Sequence, residues 1–145
     1  MAMLCCACFI LTSGCEMRFG EDVELSGDQF DQVKLDEVSK ITGVQFPEGS
    51  KGLEYFYLGS GIDDALVAKV QIPDDQVEAF LSNSVFQVGS EEGGPLNGLG
   101  KAWWDPSSLT ERVDRRQELP NAQFLELSCG REKGQFVVYI GWMTS

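Results

Sequence analysis

Residues 53–72 read LEYFYLGSGIDDALVAKVQI. Leu53 to Leu58 is rich in aromatic side chains, which suit a pleated and partly buried strand. Gly59-Ser60-Gly61 and Asp63-Asp64 supply the residues that turns need. Beyond them Leu66, Ala68, Val70 and Ile72 alternate with Val67, Lys69 and Gln71, so one side of the second run is apolar and the other wetter. The two runs predict a β-hairpin, and its apolar face needs a layer laid over it.

A second hairpin is predicted near the end of the chain. Leu125, Leu127 and Cys129 alternate with Phe124, Glu126 and Ser128, and Phe136, Val138, Ile140 and Trp142 alternate with Val137, Tyr139 and Gly141. Gly130 to Gly134 reads as the polar turn between them. Two helices are expected on either side of the first hairpin. One falls within Asp28 to Thr42, where Leu35, Val38 and Ile41 recur and Gly43 offers a left-handed stop. The other follows Pro73-Asp74-Asp75, with Val77, Phe80, Leu81 and Ser84 on one face and Asp75 with Glu78 as a capping pair. Gly89 to Gly100 holds five glycines and a proline, so a long loop is expected, and Asp105 to Ala122 is polar and largely aperiodic. The fold class expected is therefore α+β: a four-stranded antiparallel sheet of two hairpins with two helices packed on one face, in the order α-β-β-α-loop-β-β.

The chain has 145 residues, enough for one domain with its own core. With 43% hydrophobic and 23% charged residues it is neither a disordered polymer nor a multi-span membrane protein. The net charge of −12 argues against nucleic-acid binding, which needs surplus Lys and Arg. Histidine is absent, which removes the commonest general base and the commonest zinc ligand.

Met1 to Gly14 (MAMLCCACFILTSG) carries no charge, and its apolar run is too short to span a bilayer, which takes roughly 20 apolar residues. A short apolar run ending in small polar residues has the form of an export signal. Leu11-Thr12-Ser13-Gly14-Cys15 resembles the lipobox of bacterial lipoproteins, although no Lys or Arg precedes the run and Leu11 sits one place further from the cysteine than is usual there. The resemblance implies cleavage before Cys15 and a lipid on its thiol. The expected domains are then a signal peptide over 1–14, an acidic tether over 15–27 and one α+β domain over 28–145. Glu16 to Gly27, fully extended, would reach roughly 40 Å at ~3.3 Å per residue. Alternatives for the start are an uncleaved apolar helix, or a thiol cluster of Cys5, Cys6, Cys8 and Cys15. Cys-Cys-x-Cys fits no zinc pattern, so no metal site and no cofactor are expected.

Few motifs point to chemistry. Pro95 to Ala102 (PLNGLGKA) lacks both the first glycine and the hydroxyl that a phosphate loop requires. Asp63-Asp64, Asp74-Asp75 and Glu91-Glu92 are adjacent pairs, and neighbours in an extended chain point apart rather than across a substrate. Cys129 has no histidine to activate it and falls on the apolar side of its strand. No catalytic residue is therefore assigned. Trp103-Trp104-Asp105-Pro106 is the segment that invites a binding role: stacked indoles offer a platform for a sugar, a peptide or a protein, with Asp105 accepting hydrogen bonds. The competing reading has one indole plugging the core and the other covering it. Tyr55 and Tyr57 share a strand face, and on the wet side of the sheet they would extend the platform. Arg112, Arg115, Arg116, Arg131 and Lys133, interleaved with acids, read as a solvated mixed-charge surface.

Thr42-Gly43-Val44-Gln45-Phe46-Pro47, then Gly61-Ile62-Asp63-Asp64-Ala65-Leu66, Pro73 to Leu81, Trp-Trp-Asp-Pro and Val137-Val138-Tyr139-Ile140 together look similar to small uncharacterised bacterial lipoproteins. The resemblance implies a cell-envelope location, in the periplasm or at the surface, and carries no activity or site residues. The expected function is a membrane-anchored, non-catalytic binding or accessory domain. Its partners would be the membrane, through the lipid on Cys15, and an envelope protein or carbohydrate. Two alternatives remain: an immunity or inhibitor lipoprotein set against a basic protein, and an envelope hydrolase with carboxylates drawn from separate segments, such as Asp64 and Asp105.

Overall fold

The computed structural model describes residues 20–90 and 98–145. The signal peptide expected over 1–14, Cys15, the first part of the expected tether and most of the glycine-rich loop lie outside the described residues.

Six strands form one fully antiparallel sheet: β1 (Val23–Ser26), β2 (Lys51–Leu58), β3 (Ala65–Ile72), β4 (Thr110–Leu119), β5 (Gln123–Glu132) and β6 (Gln135–Thr144). Their spatial order is β1-β2-β3-β6-β5-β4, so β3 and β6 meet at the centre. Among the described residues, three short α-helices accompany the sheet: α1 (Gln32–Thr42), α2 (Val77–Leu81) and α3 (Ser84–Val88).

This corrects the expected four strands and two helices. The molecule is mostly sheet, with two more strands and one more helix than expected. The additional strands are its edges. β1 falls in the stretch expected as tether and pairs with β2 from Val23↔Tyr57 to Ser26↔Glu54. β4 falls in the stretch expected to be aperiodic and pairs with β5 from Thr110↔Arg131 to Leu119↔Gln123. The single helix expected after Pro73 is broken in two at Ser82-Asn83.

Both expected hairpins form. Leu66, Ala68, Val70 and Ile72 of β3 join Leu125, Leu127 and Cys129 of β5 and Phe136, Val138, Ile140 and Trp142 of β6 in the main core. Leu35 and Val38 of α1, Phe80 of α2 and Val85 of α3 belong to the same cluster, so this near face is the one that the helices cover. Phe80 is ringed by Phe46, Phe86 and Phe136 at centroid distances of 6.5, 5.5 and 6.4 Å. Such pairs add about 0.5–1.5 kcal/mol each beyond area burial.

α1 begins at Asp31, whose Oδ1 accepts the Lys34 N–H at 3.1 Å, and ends at Gly43 with φ 76°. Phe30, just before it, lies against Gly52 of β2. A Cβ on Gly52 would sit 2.3 Å from Phe30 Cγ and 2.6 Å from the Phe30 carbonyl oxygen, so only glycine lets the two segments approach. The β5–β6 turn is tighter than expected. Glu132 still pairs with Gln135, leaving Lys133 and Gly134 at φ 51° and 78°, the backbone of a two-residue hairpin turn matched to strand twist.

Candidate functional site

Strand alternation puts Val67 and Lys69 of β3, Val137 and Tyr139 of β6 and Ser128 of β5 on the face away from the helices. That far face is not bare. Val137, Tyr139 and Leu109 are buried together, with Trp104 packed against them. The chain from Gly98 to Leu109 therefore crosses back over the sheet, and the expected wet side of β3 is dry at Val67.

Trp104 is the residue that pins this crossing. Its ring meets Tyr139 edge-on at 5.3 Å, and a Cβ on Gly98 would stand 2.1 Å from Trp104 Cγ. Trp103 in turn meets Trp104 edge-on at 6.0 Å. Both indoles are half-buried, and Asp105 beside them is exposed. The Trp103 indole N–H is buried and makes no hydrogen bond among the described residues, so ring packing orients it. Asp105 accepts a short hydrogen bond from the Ser107 hydroxyl, and Lys101 Nζ lies 3.7 Å from the Phe56 ring centroid and 3.0 Å from Glu24.

Beneath this segment lies a polar cluster. Lys69 Nζ is 2.6 Å from Glu132 Oε2, with the two side chains 15% and 19% exposed. Glu132 Oε1 accepts from Tyr139 Oη at 2.8 Å and from Ser108 Oγ at 3.1 Å. Burial pushes the Lys69 pKa down and the Glu132 pKa up, but their mutual hydrogen bond and charges outweigh it. The net result is Lys69 raised and Glu132 lowered. Burial and the Glu132 hydrogen bond raise Tyr139. Lys69 and Glu132 lie on different hairpins, yet a signal was present: Lys69 is the only charge in an apolar strand, and a buried ammonium requires a partner.

Five side chains were expected to share a platform, and the structure divides them. Trp103, Trp104 and Asp105 are together on the far-face crossing. Tyr55 and Tyr57, paired with Ala68 and Leu66, lie on the near face beneath the helices. Tyr55 is 4% exposed and packs against Phe30 at 5.4 Å, and burial, with Glu37 adding to it, raises its hydroxyl pKa. Burial and a hydrogen bond with Asp64 push Tyr57 up to about 12. The two tyrosines therefore do not extend the tryptophan surface. Their alternation had predicted a shared face correctly, but not that the face was the covered one.

Asp64 and Asp105 do not converge. The Asp64 carbonyl accepts the Thr144 N–H and the Asp64 N–H donates to Thr144 Oγ1, at the last residue of β6, whereas Asp105 belongs to the turn bonded through Ser108 to Glu132, at the strand's opposite end. A strand of this length spans about 30 Å at ~3.4 Å per residue. Cys129 is buried in the main core, and burial, reinforced by Asp114, pushes its thiol up to about 12. The basic residues sit in mixed-charge contacts: Arg112 with Asp114 at 2.8 Å, Arg116 with Glu126 at 3.7 Å, and Arg131 with Asp74. Among the described residues, no group of three or more acids and cysteines is placed to hold a metal ion, and no helix is long and apolar enough to cross a membrane. Comparison of the chain with protein-family models, curated proteins and solved structures finds no match.

Proposed function

We propose that this chain is a lipid-anchored protein of the bacterial envelope, carried on Cys15. Its domain is a non-catalytic binding module that engages an envelope protein or carbohydrate through Trp103, Trp104 and Asp105. The observation that carries the proposal is the mounting of Trp103: a half-buried indole held against Trp104, which is itself wedged between Gly98 and Tyr139. An aromatic surface on so fixed a base loses little conformational entropy when a partner covers it, and rigid aromatic anchors dominate binding energy. Asp105 adds an exposed acceptor at the rim. The charge of −12 favours a partner with basic groups at the contact.

The test is capture of a partner from the native envelope by immobilised full chain, comparing the parent with Trp103→Ala and Val33→Ala. Val33 is exposed on α1, remote from the far face. A hot-spot indole is worth ~2 kcal/mol or more, so Trp103→Ala should reduce affinity roughly 30-fold while Val33→Ala leaves it unchanged. Equal capture by all three, with the Trp103→Ala protein folded by circular dichroism, would refute the assignment of the face.

A further inference from the structure

The first described residues are fastened to one end of the sheet. The Gly59 N–H donates to Asp22 Oδ1 at 3.2 Å, and a Cβ on Gly59 would stand 2.7 Å from the Glu21 carbonyl oxygen. β1 then runs away from this point along β2. The stretch expected as a free tether of roughly 40 Å is therefore fixed from Gly20 onward. From Cys15 to Gly20 is five residue steps, a reach of about 17 Å at ~3.3 Å per residue.

Beside that exit lies the β2–β3 turn. Ile62 stands at its tip and is 89% exposed, the most exposed large apolar side chain among the described residues. The turn is braced rather than loose: Ser60 Oγ donates to the Asp63 carbonyl at 2.7 Å and accepts from the Asp63 N–H at 2.8 Å. The register puts this turn at the same end as the β4–β5 turn and the last residues of β6, through Ala65↔Met143, Met143↔Phe124 and Phe124↔Glu118. The β5–β6 turn, and the Asp105–Ser108 turn bonded to Glu132, lie toward the other end.

Resting on the anchored reading proposed above, we infer that the end of the sheet bearing Gly20, Gly59 and Ile62 is the surface that meets the lipid bilayer. Ile62 is its point of contact, and the opposite end is held outward with the Asp105 turn. The membrane-facing end carries Glu21, Asp22, Asp63, Asp64 and Glu118. Gly20–Val23, Gly59–Ala65, Glu118–Gln123 and Met143–Ser145 contain no Lys or Arg. Such an end has no attraction for anionic lipids, so contact depends on the anchor, and anionic headgroups push it away until salt screens them.

The experiment uses lipidated mature protein on phosphatidylcholine vesicles containing brominated acyl chains. A fluorophore is placed at Ile62→Cys or at Gln135→Cys, which is exposed beside the β5–β6 turn; Cys129 is buried and unreactive. The label at 62 should be quenched several-fold more than the label at 135. With added phosphatidylglycerol, quenching at 62 should rise as salt is raised. Equal or reversed quenching on protein that floats with the vesicles overturns the orientation while leaving the anchor standing. Failure of the lipidated protein to float overturns the anchor and the orientation together.

Discussion

Glu132 holds Lys69 through one carboxylate oxygen and Tyr139 and Ser108 through the other, tying both hairpins and the tryptophan crossing to a single side chain. Its lowered pKa has a definite consequence for stability. A carboxyl whose folded pKa lies below its unfolded one stabilises the fold above the unfolded value and loses that contribution as pH falls through the folded one. Lys69 and Tyr139, both raised, act at the other limit. Their contributions are complete below their ordinary values near 10 and are lost as pH climbs through the raised ones. Glu132→Gln should therefore cost about 1–3 kcal/mol at pH 7, the cost of leaving charged partners unmatched. The gap between the parent and the variant should narrow as pH falls below the ordinary carboxylate range and through the lowered Glu132 pKa, because protonated Glu132 resembles Gln. Urea midpoints for both proteins from pH 7 to pH 3 check this, and a separation independent of pH would contradict it.

Among the elements, the break between α2 and α3 shows how one polar side chain overrides a helical pattern. Asn83 accepts the Gln45 N–H at 2.7 Å and donates to the carbonyls of Gln45 at 2.9 Å and Phe80 at 2.7 Å. Its side chain thereby holds the end of α2 to the segment after α1, while its backbone carbonyl accepts the Phe86 N–H at the start of α3. Asn83→Ala should destabilise the domain by ~2 kcal/mol, since the part-buried Gln45 N–H and carbonyl lose their side-chain partner and the Phe80 carbonyl loses one of its donors. Thermal unfolding measures this, and a loss within error of zero would contradict it.

The elements legible in the sequence were those rich in apolar residues: β3, β5, β6 and α1 announce themselves by their period and β2 by its aromatic side chains. β1 was not legible because four residues, VELS, are too few to show alternation. β4 was not because TERVDRRQEL carries Arg112, Asp114, Arg116 and Glu118 on one face and Arg115 and Gln117 among Val113 and Leu119 on the other. An edge strand with charged or polar residues on both faces erases the two-residue period, although Val113 and Leu119 pack against the core. The site was legible only in part. Trp103, Trp104 and Asp105 are sequence neighbours and had to be near one another. That Tyr55 and Tyr57 face the helices, and that Lys69 meets Glu132, depends on which face each segment covers, which composition does not encode.

At the scale of the whole molecule, an antiparallel sheet buried by helices on one face and partly by a returning loop on the other presents its tryptophans on a rigid support. The same sheet separates the point where the chain enters, beside Gly59, from the turn that carries Asp105. On the function proposed above, that separation would hold the Asp105 turn away from the bilayer. If Cys15 carries a lipid as proposed, the reach of about 17 Å from Cys15 to Gly20, at ~3.3 Å per residue, would limit how far the domain strays from the bilayer.

The proposed anchoring and orientation depend on the thiol of Cys15 carrying the lipid. Intact-mass measurement of the protein extracted from membranes tests it most directly. The account predicts a chain that begins at Cys15 and is heavier than its residues by a diacylglyceryl group, with or without a further acyl chain. A species that retains Met1 to Gly14, or one that begins at Cys15 with an unmodified thiol, would contradict it.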